Sequence, residues 1–334
     1  MIAIPISRVE KCIKHLKPEI DEFTKVAKNN LSKLLSREKN KLNSDETIYL
    51  TTLINEIDKI IIAPPDKLIK YQKKLGVVPK RHLAKGKKGR KPKTFKDKIL
   101  DELDYEGLRK SFLPTFFNEI GIKACVYCNS QHTLTIESNK YLKTKIKTII
   151  KAKFQADHFV SKADYPCLCI SLYNFYPVCG TCNNVKSDNP ISFQLYSNDI
   201  NETTISKYKF EFEKGAVAKY LTSMNKSDLV VNFKDHEKPD KNKLSKGSFQ
   251  DTFDIQGIYD TQIDIVEELV IKAKVYKISY KKLLIKSFST LFTTASLSNR
   301  LLVGNYCEPT EIHKRPMAKF TQDIARQLGL IPPI

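Results

Sequence analysis

Apolar residues in the first part of the chain recur every three or four positions, which is the spacing of one face of a helix. The pattern predicts that residues 7–75 are mainly helical. Pro18 lies inside the first apolar series and cannot continue helical hydrogen bonding, so we expect a kink or a break near Lys17. The residues that form this first apolar series are Val9, Ile13, Leu16, Ile20 and Phe23.

A second helix is indicated by a capping signal followed by another apolar series. Ser44 is the predicted N-cap, and Thr47 stands at the position that Glu usually holds in a capping box. Pro64-Pro65 ends this helix. A short third helix is expected from Asp66 to about Gly76. The apolar residues of the second helix are Ile48, Leu50, Leu53, Ile54, Ile57 and Ile60.

Further along the chain the pattern changes more than once. Residues 99–120 and 260–303 have helical periodicity, and a last helix is predicted from about 316 to 328, before Gly329. In residues 138–153 lysines alternate with other residues, which is typical of a strand or ribbon with one lysine-rich face. Helices and short strands together predict an α+β fold.

The charge of the chain is strongly positive. There are 57 Lys and Arg against 37 Asp and Glu, which gives a net charge of +20. A polyanion is therefore the leading class of partner. The apolar content of 41% is too high for a disordered chain.

Residues 80–98 form a basic segment with ten basic residues, one acidic residue and three Gly or Pro positions. Such a segment cannot bury a core, so we expect a mobile basic loop. It either adds nucleic-acid affinity without sequence preference, by releasing counterions from phosphates, or is a solvated linker without contacts. The candidate nucleic-acid-binding residues in it are Lys87, Lys88, Arg90 and Lys91.

No stretch approaches the roughly 20 apolar residues that a membrane-spanning helix needs, and residues 1–6 are too short for a signal-peptide core. We therefore expect a cytoplasmic protein with no membrane contact. In a reducing compartment, eight cysteines indicate metal ligands or buried thiols rather than disulfides.

Two Cys-x2-Cys pairs have metal-binding spacing. Cys125 and Cys128 form the first pair, and Cys179 and Cys182 the second. Together they can supply four thiolates to a structural zinc ion. The 50 residues between the pairs exceed the spacer of an ordinary zinc ribbon, so the insert is the candidate functional element.

The other candidate ligands are less informative. Cys167 and Cys169 lie two positions apart, where core packing is the better interpretation than metal binding. Cys12 and Cys307 are isolated and are expected to be buried. His132 follows the first pair and is a weaker candidate for the zinc than the four thiols.

The insert contains a carboxylate and an imidazole side by side. Asp157 and His158 are predicted on a short strand, where adjacent side chains face opposite sides. A loop, a second short strand and a helix beginning at the second cysteine pair follow. Asn183 is predicted on the first turn of that helix. Asp157 and Asn183 offer hard oxygen ligands that suit Mg²⁺, and His158 can take a proton from water.

This segment resembles the HNH nucleases, the ββα-metal or His-Me finger family. Asp157-His158 matches the first part of the family motif, Asn174 the central Asn, and Cys179-x2-Cys182-Asn183-x2-Lys186 the final part. The resemblance covers residues 125–189, and it implies a small ββα-metal unit with zinc knuckles between mainly helical flanks.

With this resemblance, three regions are predicted. Residues 1–120 are a mainly helical region that contains the basic loop. Residues 121–200 are the nuclease domain with its four-cysteine zinc site. Residues 201–334 are a mainly helical region that binds substrate or a partner.

The resemblance also implies a role for each matched residue. His158 is the general base, Asp157 and Asn183 hold a catalytic Mg²⁺ or Mn²⁺, and Asn174 fixes the loop that aims His158. Lys186 either contacts a phosphate or is a solvated helix residue. The four cysteines hold the structural zinc.

The residues in and around the motif are similar to those of the HNH proteins that accompany ATPases in bacterial anti-phage systems, such as Septu and the retron-associated nucleases. This similarity implies an endonuclease effector that cuts DNA or, alternatively, RNA such as tRNA. No nucleotide-binding loop of the Gly-x4-Gly-Lys-Ser/Thr kind is present, so an ATPase partner would have to supply ATP control.

Two other functions fit the same sequence. One is a non-catalytic, zinc-stabilised nucleic-acid-binding protein, which would have no need of Asp157, His158 and Asn183 together. The other is a stand-alone restriction endonuclease, for which no helix-turn-helix or finger array is evident.

Overall fold

The structure is a computed structural model. It describes residues 1–79, 93–142, 145–187, 189–235, 248–292 and 294–334. Within these residues, helices are combined with two-stranded sheets, so the predicted α+β class is confirmed.

The chain divides into two units, and each is assembled from separate stretches of sequence. Unit 1 comprises Met1–Pro5, Gly121–Leu134 and Val178–Ile334, and unit 2 comprises Ile6–Ile120 and Thr135–Pro177. The predicted boundary between residues 120 and 121 is also a boundary between the units. The predicted boundary at residue 200 falls inside unit 1, and the division into three regions stays a prediction.

Unit 2 contains most of the helices that the apolar pattern predicts. They are α1 (Ile6–His15), α2 (Lys17–Arg37), α3 (Ser44–Ile60), α4 (Pro65–Leu75), α5 (Phe95–Glu102), α6 (Tyr105–Gly107) and α7 (Leu113–Ile120). The chain breaks between α1 and α2, as predicted, and Pro18 lies in the first turn of α2, where a backbone N–H is not needed. Gly76 ends α4 at a φ of +68°, a left-handed conformation that favours glycine.

The N-cap of α3 is Asn43 rather than the predicted Ser44. The Asn43 side chain accepts a hydrogen bond from the Glu46 backbone N–H at 2.8 Å, and the Glu46 carboxylate accepts one from the Asn43 N–H at 3.0 Å. Asn caps helices as well as Ser does, and here it has Glu at the third helical position. The prediction with Ser44 and Thr47 was therefore wrong by one residue.

The predicted basic loop is described only at its end. Residues 80–92, and with them Lys87, Lys88, Arg90 and Lys91, lie outside the described residues. Thr94 caps α5 in a capping box with Asp97. Residues 95–98 are therefore helical, and the predicted end of the loop at residue 98 was wrong because this box outweighs the local charge.

Four strands follow α7. β2 (Leu134–Leu142) pairs with β3 (Lys145–Lys153), so the described part of residues 138–153 is extended as predicted, while its lysine-rich face stays a prediction. β4 (Gln155–His158) pairs with β5 (Phe175–Val178). Two single 3₁₀ turns lie in the loop between β4 and β5. This loop belongs to unit 2.

Unit 1 is built from shorter elements. They are β1 (Ile4–Pro5), α8 (Gly180–Lys186), β6 (Tyr196–Ser197), α9 (Ile200–Thr204), β7 (Tyr208–Phe212), α10 (Ala216–Ser223), β8 (Val231–Asp235), α11 (Phe249–Phe253), α12 (Ile255–Asp260), α13 (Ile263–Val275), α14 (Ile278–Ser287), α15 (Ala295–Val303) and α16 (Ala318–Gln327). β1 pairs with β6 in parallel, and β7 pairs with β8 antiparallel. The predicted last helix corresponds to α16.

The core of unit 1 is rich in aromatic rings. Phe210, Tyr259 and Phe320 meet with ring centroids 4.4–5.0 Å apart. Tyr127, from the first cysteine pair, stacks on Phe253 at 4.7 Å. Such contacts bury large surfaces, and aromatic rings favour offset-stacked or edge-on geometry. The aromatic core therefore extends directly to the cysteine motif.

Candidate metal centre and the adjoining strand pair

The four cysteines of the two Cys-x2-Cys pairs come together in unit 1. Cys125, Cys128, Cys179 and Cys182 are all buried, and their sulfur atoms lie within 4.8 Å of one another. The sulfurs of Cys128 and Cys179 are 4.0 Å apart. Zinc–sulfur bonds of about 2.3 Å in a tetrahedron place sulfurs about 3.8 Å apart. The group can therefore bind a metal such as zinc.

The first cysteine pair lies in a tight turn closed by backbone hydrogen bonds. The Asn129 N–H donates to the Cys125 carbonyl at 2.9 Å, and the Cys125 N–H donates to the Gln131 carbonyl at 2.9 Å. Asn129 has a φ of +54°, a left-handed conformation that Asn tolerates better than most residues. This turn directs both sulfurs to the same side.

The second cysteine pair is held by the start of α8. Cys179 is the N-cap residue of the helix, and Cys182 lies buried in its first turn. The backbone N–H of Asn183 donates to the Cys179 carbonyl at 3.1 Å. One residue in a cap and one a turn later project toward a common point, as the Cys-x2-Cys spacing predicts.

Polar hydrogens converge on the sulfurs. The Cys179 N–H donates to the Cys125 sulfur at 3.3 Å, and the Ser130 hydroxyl donates to the Cys128 sulfur at 3.1 Å. Hydrogen bonds from Cys125, with those from Cys179, Cys182 and Ser130, hold the pKa of Cys128 well below its ordinary value. Burial raises the pKa of Cys125. Donors of this kind orient thiolate ligands around a metal.

Asn129 also fixes the first turn to the C-terminal part of unit 1. Its side-chain amide donates to the Ile312 carbonyl at 3.0 Å and accepts from the Lys319 N–H at 2.9 Å. The Tyr259 hydroxyl donates to the Cys128 carbonyl at 2.8 Å. Sequence reasoning missed these three partners. The only local sign of them in the sequence was the Asn that directly follows the second cysteine of the pair.

The remaining cysteines are buried, as expected. Burial raises the pKa of Cys12 and Cys167 to about 12 and that of Cys307 to about 11. All three are neutral thiols at neutral pH. Cys169 is fully buried as well, while His132 is exposed and lies outside the cysteine group.

The strand pair of unit 2 carries Asp157, His158 and Asn174. Asp157 and His158 end β4, and each is 8% exposed. Asn174 is fully buried and ends the 3₁₀ turn directly before β5. Its amide oxygen accepts from the Val160 N–H at 2.7 Å, and its amide nitrogen donates to the carbonyls of Val160 and Leu168 at 3.2 and 2.9 Å.

The backbone of Asn174 adds a further bond to the same segment. Its carbonyl accepts from the Phe159 N–H at 3.0 Å. Asn174 therefore ties the two residues that follow His158 to the loop before β5. A buried amide with all of these partners rigidifies its surroundings.

The His158 ring is enclosed by aromatic side chains. Its centroid lies 4.9 Å from that of Phe175 and 5.4 Å from that of Tyr105. Its Nε2 atom is 3.3 Å from the carbonyl oxygen of Cys169. Because a carbonyl only accepts, this contact favours the tautomer with the proton on Nε2 and the lone pair on Nδ1.

The other predicted site residues lie in unit 1. Asn183 is half-buried on α8. Lys186, at the end of α8, is only 4% exposed, so it is not a solvated helix residue. Within the described residues, the four cysteines are the group of three or more Cys, His, Asp or Glu side chains that can share a metal, and Asp157 is not part of it.

Within the described residues, no helix combines the length and the apolar character needed to cross a lipid bilayer. No protein-family model, curated protein or solved structure matches this chain.

Proposed function

We propose that the protein is a metal-dependent endonuclease of the HNH kind that hydrolyses phosphodiester bonds of nucleic acid. The observation that carries this proposal is the way His158 is held. Asn174 holds the two residues that follow His158, and the contact between Nε2 and the Cys169 carbonyl favours one tautomer of the His158 ring. A general base needs a fixed position and a defined nitrogen atom that accepts the proton, and these two contacts favour both for His158.

His158 is proposed to remove a proton from the attacking water. With Nε2–H directed at the Cys169 carbonyl, the basic lone pair lies on Nδ1, which is the atom that accepts the proton. Asn174 contacts no reacting atom in this proposal and acts as a positioning residue. Its three side-chain hydrogen bonds prevent the segment after β4 from shifting.

The proposed ligands of the catalytic metal are the carboxylate of Asp157 and the amide oxygen of Asn183. Hard oxygen donors of this kind suit Mg²⁺ or Mn²⁺. The ion would supply charge stabilisation for the phosphate and the leaving oxygen. The assignment of Asn183 rests on the sequence motif, and its substitution belongs in the same assay as that of Asp157.

Nucleic acid is the proposed substrate because the chain carries a net charge of +20. Two of the lysines that contribute to this charge, the exposed Lys151 and Lys153 on β3, lie close in sequence to His158. DNA is the first choice, and RNA such as tRNA is the second. A contact between Lys186 and a phosphate stays a prediction, as does any contribution of the basic loop.

The biological setting is proposed from the resemblance alone. It is an anti-phage defence system in which an ATPase partner controls the nuclease. Gel filtration with the products of the neighbouring genes, an ATPase among them if the proposal is right, tests the partnership. One shared peak at moderate salt supports it, and two separate peaks across the salt range contradict it.

The test of the activity is cleavage of plasmid, linear duplex and tRNA in the presence of Mg²⁺ or Mn²⁺. We expect His158→Ala to lower the rate roughly 10²–10⁴-fold, the usual contribution of a general base. His15→Ala is the matched control, because His15 is an exposed histidine of the same unit. Asp157→Ala and Asn183→Ala are expected to abolish metal-dependent cleavage.

Three results would change this proposal. Cleavage that survives His158→Ala contradicts the assigned base. Binding of nucleic acid without cleavage, with the ATPase partner present, favours the zinc-stabilised binding protein. Cleavage at a fixed sequence without a partner favours the restriction endonuclease.

A further inference from the structure

Three cationic side chains surround one aromatic ring in the C-terminal part of unit 1. Arg300 lies 5.1 Å from the centroid of the Tyr306 ring, and Lys314 and Arg315 each lie 5.3 Å from it. Cations within about 6 Å of a ring centroid are attracted by its quadrupole. We refer to these four residues as the Tyr306 cluster.

The Tyr306 cluster keeps most of its positive charge. Lys314 forms an ion pair with Glu311 at 2.8 Å. Arg315 donates to the Gly304 carbonyl, which has no net charge. Among the described residues, neither Arg300 nor Arg315 forms an ion pair with a carboxylate. An aromatic ring attracts cations but carries no net charge to neutralise them. The three cations of the cluster and the carboxylate of Glu311 therefore have a net charge of +2.

The backbone that carries the cluster is held firmly. The buried amide of Gln322 donates to the carbonyls of Tyr306 and Glu308 at 2.9 and 3.0 Å. The Asn305 amide donates to the Pro316 carbonyl at 2.9 Å. Hydrogen bonds therefore hold in place the backbone of residues 305–316, which carries Tyr306, Lys314 and Arg315.

Asn129 connects this segment to the metal centre. Its hydrogen bonds to Ile312 and Lys319 flank the stretch that carries Lys314 and Arg315. The Met317 N–H donates to the Asn129 carbonyl at 2.6 Å. The cluster thus has a fixed place relative to the cysteine turn within unit 1.

We propose that the Tyr306 cluster is a binding site for phosphate groups of a nucleic-acid backbone, an inference that rests on the proposed action on nucleic acid. The cations are at most about 10 Å apart, since each lies about 5 Å from the same centroid. Guanidinium groups bind phosphate oxygens in pairs, and a concentrated charge near +2 attracts a chain of phosphates.

The experiment measures binding by fluorescence anisotropy over a range of salt concentrations. The probes are a labelled 30-base-pair DNA duplex, the corresponding single strand and tRNA. The full chain carries His158→Ala to keep the probes intact. The test variant replaces Arg300, Lys314 and Arg315 by Gln. The control variant replaces three exposed lysines of the same unit, Lys214, Lys219 and Lys274, by Gln.

The test variant is expected to lower the slope of log K against log salt by about 1 for each phosphate that the protein no longer neutralises. The control variant removes the same charge and should change the slope much less. Tyr306→Leu, which keeps all charges, should weaken binding severalfold, whereas Tyr306→Phe keeps the ring and should bind like the parent. Zinc content and thermal unfolding verify that each variant is folded.

Equal reductions of the slope in the test and control variants would overturn the site while leaving the proposed function in place. Absence of binding by the parent protein would instead remove the proposed function together with the site. Inorganic pyrophosphate and ATP serve as competitors. Displacement of the probe at matched phosphate concentration would show that the cluster binds free phosphates, and would overturn the assignment to a nucleic-acid backbone.

Discussion

The two units hold their candidate chemistry in different ways. In unit 2, His158 is positioned by ordinary hydrogen bonds inside a framework of helices that cap and pack by local rules. In unit 1, three distant stretches of chain meet around four cysteines, and the turn of Cys125 and Cys128 is anchored by residues more than 130 positions away. We therefore expect the order of unit 1 to depend on a metal bound at these cysteines far more than the order of unit 2 does.

This contrast shows two routes to a rigid site. A buried amide such as Asn174 satisfies its partners within a loop of about 15 residues. A cysteine cluster satisfies its geometry only when a metal replaces the thiol protons, because four buried thiolates repel one another. We therefore expect the hydrogen bonds of Asn174 to persist after metal removal and the arrangement of the four cysteines to be lost.

Metal removal should separate the two units most strongly. Treatment with 1,10-phenanthroline, or the substitution Cys182→Ser, is expected to release one zinc per chain. Structural zinc is worth about 10–16 kcal/mol in small fingers, more than a domain's usual net stability. Hydrogen exchange followed by mass spectrometry should then show loss of protection in α11–α13 and α16, with α2 and α3 still protected.

The control for metal removal is Cys307→Ser. Cys307 is a buried thiol of unit 1 outside the cysteine group, and its S–H donates to the Asn305 carbonyl, which a hydroxyl can also do. This variant should keep its zinc. Equal loss of protection in both units after chelation would contradict the contrast between them.

Removal of the Asn174 side chain should act on unit 2 alone. Asn174→Ala leaves the Val160 N–H and carbonyl without this partner and removes one of two donors to the Leu168 carbonyl, which still accepts from the Ser171 N–H. We expect a loss of about 3 kcal/mol in the free energy of unfolding. Ser171→Ala is the matched control, because the buried Ser171 hydroxyl has no hydrogen-bond partner in the described part of the chain. That variant should be neutral or more stable. Urea unfolding with retained zinc measures both.

The smallest predicted effect is a pH dependence confined to unit 2. The Lys98 ammonium, 2.9 Å from the buried Glu38 carboxylate, holds the pKa of Glu38 below its ordinary value of 4.5. A lowered folded-state pKa stabilises the protein above the unfolded value. This contribution, about 1 kcal/mol, is lost as the pH falls from about 4.5 through the folded pKa.

Thermal unfolding of the parent and of Glu38→Gln between pH 7 and pH 3 measures this dependence. The difference in Tm should be about 2–4 °C at pH 7 and should shrink toward pH 3. A constant difference over the whole range would show that Lys98 does not shift the titration of Glu38.

The parts of the fold that follow from local signals could be read from the sequence. The helices of unit 2 were predicted because apolar periodicity and proline positions act within a few residues, and even the error at Asn43 was one residue. The cysteine centre was predicted because Cys-x2-Cys spacing fixes two sulfurs per turn. The strand pair that holds Asp157 and Asn174 followed from short apolar segments on either side of a loop.

The parts that depend on distant contacts could not be predicted. The partners of Asn129 and Cys128 lie in α12, in α16 and in the segment just before α16, and no periodicity links a turn near residue 129 to residues near 320. The Tyr306 cluster was missed for the same reason. Arg300 and Arg315 are 15 positions apart, and only the fold of the chain between them brings both to the Tyr306 ring. The burial of Lys186 could not be predicted either, because a lysine at the end of a short polar helix is usually exposed to solvent.

The four crossings of the chain between the units set an order for biosynthesis. Unit 2 is complete once residue 177 has left the ribosome, whereas unit 1 waits for α16 and still needs the first five residues, whose strand pairs with β6. The second cysteine pair emerges only after the last segment of unit 2. Both cysteine pairs are therefore present only after all of unit 2 has been made, and the first pair must stay reduced and accessible to a metal while about 50 further residues are synthesised.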